Sequence, residues 1–206
     1  ITLLISYPLA YFMTKTKLST QGTLMLLVML PMWMNFLIRT YSLSAILERN
    51  GIINTFLENI GLEKVQLINT SGAVILGMVY NFIPFMILQI YTALSKLDKS
   101  YLEAASDLGA NKVQSFLNVT LPLSLPGVIN GITLVFLPAI SAFFIPKLLG
   151  GGQYFLIGNL IENQFITVGE WNFGSAISMI MAAVMMLLMM LVKKLEVRNQ
   201  GGKEDN

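Results

Sequence analysis

A chain of 206 residues that is 55% apolar and 12% charged, with a mean hydropathy of +0.69, is not a water-soluble domain, which carries about a quarter charged residues. It has no cysteine and no histidine, which excludes disulfides, thiol chemistry and imidazole-based catalysis or metal binding. The net charge of +2 gives no reason to expect nucleic acid as a partner.

The apolar residues come in runs. Residues 22–38, 65–95, 113–146 and 171–192 hold no charged side chain, and a bilayer-spanning helix needs roughly 20 mostly apolar residues. Five membrane segments are expected in chain order. Residues 1–14 are apolar but too short to span, and they lack the basic start of a signal peptide. They are expected to be the remainder of a first helix whose front lies outside this chain, which begins with Ile1. The second segment is expected at 22–38, the third at 71–95, the fourth at 123–148 and the fifth at 173–192. The methionines of the last segment (Met179, Met181, Met185, Met186, Met189 and Met190) are expected to face lipid or fill packing gaps.

Between these segments the basic residues fall unevenly. Lys15, Lys17, Lys96, Lys99, Lys112, Lys193, Lys194, Arg198 and Lys203 occupy one set of loops and the tail; Arg39, Arg49, Lys64 and Lys147 occupy the other. The richer side is expected to be cytoplasmic. Glu48, Glu58, Glu63, Glu162 and Glu170 all fall on the opposite, outer side. There, residues 41–47 and 52–60 are expected to form short amphipathic helices parted at Asn50-Gly51, a turn dipeptide. Gly150-Gly151-Gly152 is expected to give a flexible exit from the fourth segment, and residues 199–206 a polar, disordered tail.

Pro8, Pro31, Pro84, Pro126 and Pro138 lie within expected segments. Proline kinks a helix and frees a carbonyl, which a membrane tolerates where a neighbouring helix or cavity satisfies it. Two readings stand: ordinary membrane-helix proline, or bent helices lining a path. Acidic residues are missing from the expected spans, whereas a proton-coupled transporter would usually carry one there.

Residues 100–122, SYLEAASDLGANKVQSFLNVTLP, are the most informative stretch. Ser100 and Glu103 have the spacing of a capping box, so a helix is expected to start there. Tyr101, Leu102, Ala105 and Leu108 can share an apolar face, and Gly109 suits a helix stop. A second helix over 111–119, ended by Pro122, would complete a helix–glycine–helix knuckle on the cytoplasmic side. Ala104 and Ala105 would leave a smooth surface able to seat in a groove of another protein. The plain alternative is a loop whose glutamate only caps a helix.

Glu103-Ala104-Ala105, Gly109 six positions after the glutamate, and Val119-x-Leu121-Pro122 together resemble the EAA signature of bacterial ABC-importer permeases; Val119 stands where isoleucine is usual. The stretches 30–47, 94–110, 137–151 and 156–165 extend the resemblance to the spermidine/putrescine branch of that family. The resemblance implies an all-α, polytopic transmembrane helix bundle of the MetI-like permease type, with six spans in the family and about five here. Residues 1–198 would form the permease domain, with coupling helices at 100–122. It further implies a bacterial inner-membrane location with a cytoplasmic C-terminus, and a knuckle that docks into a cleft on a cytoplasmic ATPase dimer. Glu103, Ala104, Ala105, Gly109, Leu121 and Pro122 would take that coupling role. A second permease would complete the pore, and an extracytoplasmic binding protein would deliver substrate.

The chain has no ATP loop of its own, because Gly150–Gly152 is not followed by Lys-Ser or Lys-Thr. No cofactor is therefore expected on it, ATP and Mg belong to the partner, and it is not expected to be an enzyme. A flexible polycation would need aromatic faces and polar groups that hold it weakly. Trp33, Asn35, Tyr41, Tyr80, Asn81, Phe143, Phe144 and Trp171 are the candidates, with Asn130 a further polar group inside a span. For the aromatics the alternative is an interfacial belt; for Asn81 it is a hydrogen bond between helices. Two other functions stay open: an ABC permease for a different small solute, and an ATP-independent channel, secondary transporter or scaffold.

Overall fold

The computed structural model describes the backbone of residues 1–201 and the side chains of residues 1–194. Among the described residues the regular structure is helical. In order come α1 (Thr2–Lys15), α2 (Leu18–Met29) with a 3-10 turn Leu30–Trp33, α3 (Phe36–Leu47), α4 (Ile52–Asn59), α5 (Ser71–Ser95), α6 (Lys99–Asp107) and α7 (Lys112–Ser115). A π-helical turn, Phe116–Thr120, leads into α8 (Leu121–Ser141). Then follow α9 (Phe144–Leu149), α10 (Ile157–Glu162), a second π-helical turn Asn163–Val168, and α11 (Trp171–Gly201). The remainder of the expected tail lies outside the described residues.

Three helices are long and apolar enough to cross a membrane: Ser71–Ser95, Lys112–Ser141 and Trp171–Lys194. A fourth is counted if Leu18–Trp33 and Phe36–Asn59, bent by 96°, form one broken span. Three points bear on the five expected segments. First, α1 has 14 residues, about 21 Å of helix against a core of about 30 Å, and is too short to span, as expected of residues 1–14; the next two differences are corrections.

Second, the segment expected at 22–38 stops at Trp33. Pro31 lies in the 3-10 turn, and Asn35 starts a new helix by accepting from the N–H groups of Leu37 and Ile38. Third, the segment expected at 123–148 stops at Ser141, and residues 144–149 form the separate α9. The carbonyl of Phe143, in the break, accepts from Asn159 Nδ2 at 2.6 Å. The outer pair expected at 41–47 and 52–60 is present as α3 and α4, parted at residues 48–51.

The chain forms two compact units. The first comprises Ile1–Met29, Ile83–Val135 and the described chain from Leu187. Here the rings of Tyr7 and Tyr11 on α1 meet the ring of Phe116 edge-on, at 5.9 and 5.3 Å. Tyr7 also shares a 2.8 Å hydrogen bond with Ser124 of α8. Gln21 closes the α1–α2 turn. Its Nε2 donates to the carbonyls of Thr14 and Thr16, and its Oε1 accepts from Tyr91 of α5 at 2.9 Å. Helix α8 approaches α5 closely through Gly127 and Gly131, one turn apart. A Cβ on Gly127 would overlap Ala93 and sit 2.9 Å from the Gln89 carbonyl.

The second unit comprises Leu30–Phe82 and Phe136–Met186. Asn54 of α4 is fully buried and exchanges hydrogen bonds with Val65, holding the loop after α4 against it. Ile145 and Leu149 of α9 are fully buried and lie against Gly77 of α5. Lys147 and Glu162 form an ion pair at 2.6 Å. In α11 the window that could cross a membrane buries nothing inside the chain, and Met179, Met186, Met189 and Met190 are exposed, as a lipid-facing row would be.

Candidate functional site

The knuckle begins one residue pair earlier than its spacing suggests. Asp98, not Ser100, is the N-cap: its side chain accepts from the Ser100 N–H at 3.0 Å. Ser100 and Glu103 are already helical, which corrects the expected capping box. Those bonds hold the Asp98 carboxyl below the usual carboxylate range. Helix α6 ends in a Schellman arrangement. Gly109 donates to the Ser106 carbonyl and Ala110 to the Ala105 carbonyl, with Gly109 at φ +81°. A true capping box does occur in the unit, at Asn111 and Gln114, which exchange two 2.9 Å hydrogen bonds and start α7.

Pro122 does not end the unit as expected. The helix runs on through it from Lys112 to Ser141. Proline cannot donate to the carbonyl one turn back, and the π-helical turn Phe116–Thr120 lies directly ahead of it. There the Leu121 N–H reaches the Phe116 carbonyl, so the helix widens where its regular bonding fails.

The structure puts Glu103, Ala104, Gly109 and Pro122 on the surface and leaves Ala105 and Leu121 half-buried. Of the expected apolar face, Leu102 and Ala105 turn partly inward, whereas Tyr101 is 56% and Leu108 is 89% exposed. With Val113, also exposed, these give the knuckle apolar outward side chains that no described residue covers.

The candidate path residues lie in the second unit. Tyr41 and Phe36 both meet Phe144, at 5.6 and 6.2 Å between ring centres. Trp33 is exposed at the end of the 3-10 turn, Asn35 caps α3, and Phe143 is exposed beside the α8–α9 break. Trp171 meets Phe165 edge-on at 5.6 Å. Among the described residues no aromatic contact joins Trp33, Phe143 or Trp171 to the other candidates.

Asn81 is buried and fully engaged. Its Oδ1 accepts from Arg39 Nε at 2.8 Å, and its Nδ2 donates to the Gly77 carbonyl at 2.9 Å. Arg39 is itself buried, donates to the Pro31 carbonyl at 2.9 Å, and lies 5.8 Å from the Tyr80 ring. The hydrogen bond between helices weighed for Asn81 is present, but its partner Arg39 reads in the sequence as an outer-loop cation, so the sequence does not foresee this clamp across the 96° bend. The available signal was an arginine flanked on both sides by an apolar helix, facing an asparagine within a long apolar run.

The chain belongs to the family described as binding-protein-dependent transport system inner membrane component, whose profile matches residues 4–198. It is 46% identical over 190 residues to the spermidine/putrescine transport system permease protein PotB of Haemophilus influenzae. It is 41% identical over 191 residues to PotB of Escherichia coli. The alignments cover 91% and 92% of this chain, which spans 66% and 70% of those relatives' lengths.

Solved structures show the same fold at 17% identity. The crystal structure of a bacterial ABC transporter involved in the import of the acidic polysaccharide alginate has a TM-score of 0.78, covering 94% of this chain and 71% of that one. The alginate transporter in complex with its alginate pentasaccharide-bound periplasmic protein has a TM-score of 0.79, covering 95% and 72%.

Proposed function

We propose that this chain is the transmembrane permease subunit of an ATP-driven importer for spermidine- and putrescine-class polyamines, forming half of the path and coupling to a cytoplasmic ATPase through the α6–α7 knuckle. The observation that carries the coupling role is the knuckle itself. It is a two-helix unit locked by a Schellman turn and a capping box, and it presents Glu103, Ala104 and the apolar side chains of Tyr101, Leu108 and Val113 outward. A rigid element with exposed apolar side chains is suited to transmit a push from a partner. The polyamine assignment is supported by relatives at 41–46% identity that are named for spermidine and putrescine.

In this reading ATP and Mg reside on the ATPase dimer, a second permease completes the pore, and an outer binding protein delivers the substrate. The aromatic groups Trp33, Tyr41, Tyr80, Phe143, Phe144 and Trp171, with Asn35, supply weak contacts for a flexible polycation, whereas Asn81 is occupied within the protein. The three unbroken crossing helices, Ser71–Ser95, Lys112–Ser141 and Trp171–Lys194, carry no carboxylate that would hold an ammonium too tightly to release it.

The test is uptake of labelled spermidine and putrescine into proteoliposomes holding the co-purified transporter. We expect uptake only with ATP, and a loss of roughly tenfold or more in Glu103→Leu and Gly109→Val at unchanged membrane content, corresponding to about 1.4 kcal/mol of coupling. Normal uptake in both variants would remove the coupling role. Import of another solute with no response to polyamines would leave the permease and replace its substrate.

A further inference from the structure

The first unit contains a cavity of about 820 Å³ between the α1–α2 turn, the end of α5 and the side of α6 that carries Leu102, Glu103 and Ser106. Three of its lining side chains are the cations Lys15, Lys17 and Lys99, against one carboxylate, Glu103. Among the described residues the ion pairs are Lys64–Glu58 and Lys147–Glu162, so none of the three lysines has a carboxylate partner. Lys15 lies in the last turn of α1, where the helix dipole favours a cation, and 5.1 Å from the Tyr11 ring, but local helix energetics do not account for the other two. Lys99 is the first residue of α6 and Lys17 immediately precedes α2, positions where the helix dipole disfavours a cation. Three like charges on one cavity repel one another unless a counter-charge occupies it.

The surroundings indicate what kind of anion. Lys15 and Lys17 stand in the short turn between two apolar helices, the level at which a membrane helix meets water. Leu18 lines the same cavity and is 84% exposed, and Phe12, one turn back on α1, is 64% exposed. An occupant of the cavity therefore finds cations for its head and an uncovered apolar surface beside them. The cavity walls are held in place: Gln21 ties Thr14, Thr16 and Tyr91 together, so the turn carrying two of the lysines is fixed in advance.

We propose that this cavity binds the phosphate headgroup of an anionic phospholipid, with its acyl chains lying against Leu18 and Phe12. Basic pockets beside membrane helices recognise such headgroups. Because Glu103 lines the same cavity, a bound lipid would lie directly behind the knuckle. The proposal is independent of which solute is transported.

The experiment measures lipid retained by the full-length permease in its complex, reconstituted with phosphatidylglycerol and phosphatidylcholine mixtures and read by native mass spectrometry. We expect selective retention of phosphatidylglycerol. The Lys15→Gln/Lys17→Gln/Lys99→Gln variant should weaken it by roughly 100-fold, at about fivefold per lysine. The corresponding triple arginine variant should keep it, and Lys193→Gln/Lys194→Gln, outside the cavity, should lose much less. Should the triple glutamine variant fail to assemble, single substitutions of the three lysines give the same comparison. Glycerol 3-phosphate, the probe for a soluble anion, should compete only weakly. Equal retention of the two lipids, unchanged retention in the glutamine variants, or glycerol 3-phosphate binding as tightly as lipid would each overturn the proposal.

Discussion

At Asn81 a single side chain decides how a buried charge is accommodated. Its Oδ1 is the acceptor for Arg39 Nε, and burial leaves no water to replace it. Hydrogen bonds between membrane helices average about 0.6 kcal/mol, but those to a charged group are worth about 1.5–3 kcal/mol. We expect Asn81→Leu to lower thermal stability in detergent by about 2 kcal/mol and Asn81→Asp, which keeps an acceptor, to preserve it. Equal losses in both would show that Arg39 does not depend on this partner.

Gly109 makes the opposite case. A Cβ there meets nothing within 4 Å, but φ is +81°, so Gly109→Ala is strained by backbone conformation alone, by about 1–2 kcal/mol. We expect faster amide exchange at Ala110, whose N–H closes the turn onto Ala105, with the helices on either side unchanged. Asp98 gives a pH dependence of known sign. Its folded-state pKa is lowered by accepting the Ser100 N–H, so its support for α6 is present above the ordinary carboxylate pKa and is lost as pH falls through the lowered value. Amide exchange in the first turn of α6 should accelerate over that acidic range, and Asp98→Ala should abolish the dependence.

Helix contacts are governed by which neighbour can yield. Gly127 and Gly131 let α8 approach α5, as small residues four apart do in membrane helices. The Cβ of Gly127→Ala would press on Ala93 and the Gln89 backbone carbonyl, whereas that of Gly131→Ala would press on the Met86 sulfur, which can swing aside. We expect Gly127→Ala to cost about 1–3 kcal/mol and Gly131→Ala distinctly less, measured as the shift in unfolding midpoint.

Long charge-free runs made α5, α8 and α11 legible in the sequence, because length and composition alone decide them. The breaks were less so. Nothing in residues 22–38 requires Asn35 rather than Ile38 to mark the turn; the cap forms because the chain leaves the helix at Trp33. Pro122 reads as a stop and is instead absorbed by a π-turn, a rearrangement with no compositional signature. Ser100 has the right spacing for a cap and loses to Asp98, which satisfies the Ser100 N–H from just outside the helix.

In the whole molecule, the two compact units divide the charges as the loops did. Lys15, Lys17, Lys96, Lys99, Lys112, Lys193 and Lys194 belong to the first, and Arg39, Arg49, Lys64, Lys147 and five glutamates to the second. The knuckle was legible because its residue types recur at fixed spacing over a short stretch, and its glycine stop is present in the structure, whereas its caps at Asp98 and Asn111 were not read from the sequence. The Arg39–Asn81 clamp was not, because it joins residues far apart in the chain through a fold that composition does not reveal. The chain has no cysteine, so a single introduced thiol reports one position. The most direct measurement is thiol cross-linking of Leu108→Cys, at an 89% exposed position of the knuckle, in the assembled transporter with and without ATP. We expect an adduct with the ATPase subunit whose yield changes with nucleotide. A thiol that remains freely labelled from the aqueous phase and joins no ATPase in any nucleotide state would contradict the coupling role.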